Sequence, residues 1–85
     1  MEHTSYLKQK SRAKVMHDLA SAANNIDQEN YLWGYLRGIA RKFHGDVYNQ
    51  NGHDLLMSYK DNSNDDSKNQ RIGVGYRDGL AGKPI

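Results

Sequence analysis

The chain contains no cysteine. Disulfide staples, thiolate metal sites and thiol nucleophiles are therefore excluded, and a reducing compartment is the natural setting. No apolar run approaches the ~20 residues that a membrane-spanning helix needs. The opening MEHTSYLKQK is polar and lacks the apolar stretch of a secretory leader. A cytoplasmic protein without a membrane partner is the expectation. Charge of one sign is also lacking. The net value is +2, and the isoelectric point of about 8.9 only reaches the edge of the range typical of nucleic-acid-binding domains.

What remains is 85 residues, enough for a single domain over 1–85. A chain of this size buries only about 60% of the surface its unfolded form exposes. With disulfides excluded, self-association or a partner is the expected support, so a homo-oligomer is expected. Charge is uneven along the chain. Residues 1–45 hold seven Lys/Arg against four Asp/Glu, and residues 46–85 hold five against six. The basic excess falls where the two clearest helices are predicted, and a basic helical face favours anionic partners.

The periodicity predicts an all-α bundle of three to four helices, with a polar loop before the last. Helix one is predicted over 5–25, capped by Thr4 or Ser5, with Leu7, Val15, Leu19, Ala22 and Ile26 on its core face. Lys10, Lys14 and His17 share another face. Asn24 and Asn25 suit its end, because Asn tolerates the left-handed conformation. Helix two is predicted over 28–44, with Asp27 as N-cap, Glu29 in the first turn, and Leu32, Leu36, Ile39 and Phe43 as an apolar stripe. Arg41, Lys42 and His44 occupy its last turn and Gly45 stops it. Residues 46–53 read as a loop turning at Asn51-Gly52. Leu55 to Tyr59 form a short third helix or turn. Residues 60–70 have no apolar side chain and read as a mobile surface loop. A fourth helix is predicted over 67–81, capped by Asp66 or Ser67, with Ile72, Tyr76 and Leu80 on one face. Its glycines at 73, 75 and 79 each cost about 1 kcal/mol against alanine, so it needs tertiary support.

One internal echo stands out. Residues 34–40 read GYLRGIA and residues 75–81 read GYRDGLA. Gly, Tyr, Gly, an aliphatic residue and Ala recur at the same offsets. Two glycines four apart bare one helical face, so another helix or a ligand can come close. The two segments are expected to pack as a pair, with Tyr35 and Tyr76 flanking the contact.

Candidate binding residues follow from chemistry and spacing. Arg37, Arg41 and His44 lie at i, i+4 and i+7, with Lys42 adjacent. Such a stripe can grip phosphates or a carboxylate-rich surface, since Arg binds both bidentately; a solvated helix face would look the same. Lys8, Lys10, Arg12 and Lys14 wrap around helix one and read as a solubilising set. Trp33 is the single tryptophan, flanked by Tyr31 and Tyr35, and the three cannot all face one core. Trp and Tyr serve either as hot spots or as core anchors. Tyr48, Tyr76 and Arg77 complete the candidates.

Catalysis has no support: there is no phosphate loop, no HExxH and no base beside Ser58. His44-x-Asp46 and His53-Asp54 fall short of a zinc set, which wants three or four ligands. No cofactor and no metal are expected, and the chain reads as a non-enzyme.

Two resemblances add to this. GYRDGLAGKP resembles the G-Y-x-x-G-[IL]-A-G segment of ribosome modulation factor and related short bacterial and phage proteins, over about ten residues, Gly75 to Pro84. It implies a ribosomal or RNA partner. YLWGYLRGIARKFHGDVY, Tyr31 to Tyr48, and the closing RIGVGYRDGLAG resemble segments of small phage- and prophage-encoded proteins. That resemblance implies an inhibitor acting in the host cytoplasm, which binds a host protein or ribonucleoprotein complex, such as a defence complex in the anti-CRISPR manner. The residues leave two further readings open: a nucleic-acid or ribosome-binding module, and an oligomeric sponge for a small anionic nucleotide ligand.

Overall fold

A computed structural model describes residues 2–45, 50–61 and 67–85, with the side chains of 60 and 61 outside the description. Among the described residues there are four helices and no strand: α1 (His3–Ala22), α2 (Ile26–His44), α3 (Gln50–Asp61) and α4 (Ser67–Leu80). The expected all-α bundle is what the chain forms.

Asn24 and Asn25 make the first corner. Asn24 takes a left-handed φ of 57°. Its N–H donates to Ser21 O and that of Asn25 to Ala20 O, which closes α1 as a Schellman motif. The Asn25 side chain then accepts from Gln28 N at 3.3 Å and caps α2. The N-cap is thus Asn25 and not Asp27, which lies inside the first turn with Glu29 and answers the helix dipole there. Thr4 and Ser5 likewise fall inside α1, which starts at His3 without a side-chain cap. Gly82, at φ 71°, ends α4 by the same motif, with Lys83 N–H on Asp78 O.

Two loop expectations are corrected. Residues 50–53 open α3 and residues 60–61 close it, while residues 67–70 belong to α4, as the helix expected over 67–81 has it and not the loop expected over 60–70. Their local turn and polar signals are outweighed by the apolar residues each helix carries further along. Residues 46–49 and 62–66, including the proposed cap Asp66, lie outside the described residues.

α2 and α4 share the largest interface; α1 packs on α2, and α3 on α4. The molecule measures 36 × 29 × 17 Å. From these packed pairs the order of the helices is α1, α2, α4, α3. Two apolar clusters result, one on each side of the central pair. Tyr6, Ala13, Leu32, Tyr35, Ile39 and Ala40 form the first, and Leu56, Ile72 and Tyr76 form the second.

The core face assigned to α1 is overturned. Leu7, Val15, Leu19 and Ile26 are 48%, 58%, 65% and 63% exposed, and the buried residues are Tyr6, Ala13 and Ala20. These recur every seven residues, the spacing of a narrow seam between two helices. Alanine suits that seam because it lets the backbones approach, and the branched side chains are left on the opposite surface. Tyr6 stacks on Phe43 with ring centroids 4.3 Å apart.

Candidate functional site

The echo residues build the central pair. α2 and α4 run parallel, because Gly34 meets Ile72 and Tyr76 while Gly38, one turn later, meets Tyr76, Gly79 and Leu80. A Cβ on Gly34 would stand 2.9 Å from the Ile72 carbonyl carbon, and one on Gly75 2.8 Å from that of Tyr31, with both carbonyl oxygens closer still. Only glycine permits this approach. Tyr35 and Tyr76 flank it, both with no exposed surface.

Hydroxyls of the buried tyrosines leave the seam in opposite directions. Tyr35 Oη donates to Lys83 O at 2.5 Å. Tyr76 Oη lies 2.6 Å from Nδ1 of His53 on α3. Tyr31 Oη donates to Asp78 at 2.5 Å, and Lys83 Nζ reaches the same carboxylate at 3.4 Å. Burial, followed by the hydrogen bond to Asp78 and its charge, pushes the Tyr31 phenol well above its usual range. Burial and then Asp78 also raise Tyr35. Burial raises Tyr76, with Arg41 opposing and Asp54 adding.

The proposed arginine stripe does not stand as a free surface. Arg41 is buried at 9% exposure, so the middle of the stripe is taken into the packing. Arg37 lies flat on Trp33, its guanidinium carbon 3.4 Å from the ring centroid, and donates to Trp33 O at 3.3 Å. His44 is exposed but sits against the edges of Tyr6 and Phe43. Lys42 is exposed, and its aliphatic stem passes over Gly82. Arg77 donates to Met57 O at 3.1 Å and ties α4 to α3. Tyr35 and Tyr76, offered as contact residues, are instead core residues that set the seam. Tyr48 lies outside the described residues.

Two surfaces remain. The first is the outward row of α1. Leu7, Val15 and Leu19 point away from the bundle, and Lys8, Lys10, Arg12 and Lys14 on the same helix are all exposed. The second is an open cleft of about 650 Å³ between α2, α3 and α4. Glu29, Trp33 and Arg37 supply its α2 wall, Leu55, Leu56 and Tyr59 its α3 wall, and Lys68, Asn69 and Ile72 its α4 end. Trp33 and Arg37 were legible as candidates. Tyr59, Lys68 and the α1 row were not; the seven-residue recurrence of Tyr6, Ala13 and Ala20 was the signal that could have turned α1 the right way.

His53, considered for a metal, is engaged with Tyr76. Among the described residues no cluster of three or more His, Cys, Asp or Glu could hold an ion. No helix there is long and apolar enough to cross a membrane. Comparison with family models, curated proteins and solved structures finds no match.

Proposed function

We propose that this chain is a non-enzymatic binding protein that engages an acidic surface of another macromolecule through the outward face of α1 and blocks it by occupation. One observation carries the reading: Leu7, Val15 and Leu19 are all about half exposed or more, while the same helix buries alanines. Val15 and Leu19 lie one turn apart, and adjoining exposed apolar side chains mark interaction sites. Of the four cations that wrap α1, the exposed Lys8 and Arg12 share the side of Val15 and Leu19, where they attract carboxylates and speed the encounter. The resemblance to phage-encoded proteins makes a host protein or a defence complex the expected target.

A second copy of the chain is the other occupant to weigh. Antiparallel pairing of two α1 helices would bring Leu7 of one copy to Leu19 of the other and Lys8 to Asp18. It would also bring Arg12 to Lys14, and like charges in contact are unfavourable. Attraction and repulsion thus offset in a self-pair, whereas an acidic partner meets the α1 cations with attraction alone. The cue for a nucleotide sponge was the glycine-lined contact, and that contact is filled by the helix pair itself. A nucleic-acid-binding module, motivated by the basic first half and the GYRDGLAG resemblance, would have to use a surface other than Arg41, which is buried.

The test is affinity capture from a bacterial lysate at near-physiological salt, with light scattering of the isolated chain. A monomer that retains one acidic protein or complex supports the reading. Recovery of no macromolecular partner, or capture that only nuclease abolishes, contradicts it.

A further inference from the structure

The two interfaces of α2 differ in kind. Against α4, backbone meets backbone at Gly34, Gly38, Gly75 and Gly79. Against α1, the buried residues are Tyr6, Ala13 and Ala20, with Tyr6 stacked on Phe43 at one end. Alanine removes little apolar surface from water, so two of these three residues contribute little to holding the helices together. Among the described residues α1 shares a substantial interface with α2 alone. The corner that joins them turns at Asn24, in a left-handed conformation with φ of 57°.

A second hold on α1 comes from residues 83–85, which run from the end of α4 to α1 by way of Tyr35 on α2. Tyr35 Oη donates to Lys83 O at 2.5 Å, and Lys83 Nζ reaches Asp78 at 3.4 Å. Pro84 follows, its φ fixed by the ring. The Ile85 side chain is half-buried and packs on the first apolar cluster. Ile85 N–H donates to Gln9 Oε1 at 3.4 Å, and Arg12 donates to Ile85 O at 3.5 Å. Gln9 and Arg12 fall between Tyr6 and Ala13 in sequence, so this segment grips α1 alongside its seam.

We propose that residues 83–85 are a latch on a detachable helix. With the latch seated, α1 lies on α2. With Ile85 unseated, α1 leaves α2 as one unit about Asn24, while α2, α4 and α3 stay packed. Parts of a fold with few buried apolar contacts open at lower free energy than the rest. Opening frees Tyr6, Ala13 and Ala20 in addition to the already exposed Val15 and Leu19, so both sides of α1 become available to a partner. The latch consists of contacts within the chain, and it operates whether or not the outward side of α1 binds anything.

Native-state hydrogen exchange of the full chain tests the latch, followed residue by residue by NMR at several urea concentrations below the unfolding midpoint. Helices in proteins owe most of their stability to packing, so the amides of a released α1 exchange. Amides from Ala13 to Leu19 are expected to exchange faster, and with a weaker urea dependence, than those of Tyr35 and Tyr76, because a partial opening exposes less surface. Ile85→Ser should speed exchange in α1 by roughly fivefold, the scale that half-burial of an isoleucine sets. Tyr35→Phe keeps the buried ring, removes the bond to Lys83 O and should act in the same direction. If α1 and the central pair exchange with the same rate and urea dependence, α1 opens only with the whole molecule and the proposal fails. Unchanged α1 exchange in Ile85→Ser overturns it equally.

Discussion

Gly34 and Gly75 face each other across two parallel helices, each lacking a Cβ where the other helix's backbone passes. The neighbours that a Cβ would strike are carbonyl and amide atoms, including Tyr76 N at 3.0 Å from a Cβ on Gly34 and Tyr35 N at 3.0 Å from one on Gly75. Backbone atoms cannot swing aside, so any side chain forces the helices apart.

Gly34→Ala and Gly75→Ala are therefore expected to destabilise the fold by about 3 kcal/mol or more, since overpacking here cannot relax locally. At an exposed helical site the same change would stabilise by up to about 1 kcal/mol. Urea denaturation followed by circular dichroism measures the sign.

Alkaline pH should weaken the fold. The phenols of Tyr31, Tyr35 and Tyr76 are all raised above the ordinary value of 10.0. A raised folded-state value means that the folded chain holds the proton when the unfolded chain has lost it. Their contribution is complete below pH 10 and is lost as pH climbs above it. The urea midpoint is expected to stay level as far as tyrosine is concerned up to about pH 10 and then to fall. Tyr31→Phe should flatten the fall.

Tyr76→Phe removes the 2.6 Å contact to His53 and keeps the buried ring. His53 is half-buried, so water can replace the lost partner. The expected cost is about 1 kcal/mol, read as a lower melting temperature with an unchanged helical spectrum.

Ala13 has no exposed surface and lies in the α1–α2 seam. Ala13→Leu is expected to cost about 1–3 kcal/mol by overpacking. Ser11→Leu, at an exposed position on the outward side of α1, should stay within about 0.5 kcal/mol.

Much of the helix content was legible because α2 carries a strong apolar stripe and clear end signals. The glycine echo also announced the central pair, since two matched glycine faces have few other uses in a chain this short. The orientation of α1 was not legible by the same rule. Its bulky aliphatics outnumber its buried residues, and apolar periodicity alone cannot tell a packing face made of alanine from a binding face made of leucine and valine. The start of α3 was hidden by Asn51-Gly52, a strong turn signal outweighed by the packing of Leu56 against Ile72 and Tyr76. Arg41 looked like part of a surface stripe because spacing shows that residues share a strip, not whether another helix covers it.

The α1 face is tested most directly by a double variant, Val15→Gln with Leu19→Gln, measured for both melting temperature and retention of the captured partner. Both side chains are more than half exposed, so the melting temperature should hold or rise slightly while the partner is lost. Retention of the partner at wild-type level, or a melting temperature lowered by several degrees, would show that these side chains belong to the fold and not to a binding surface.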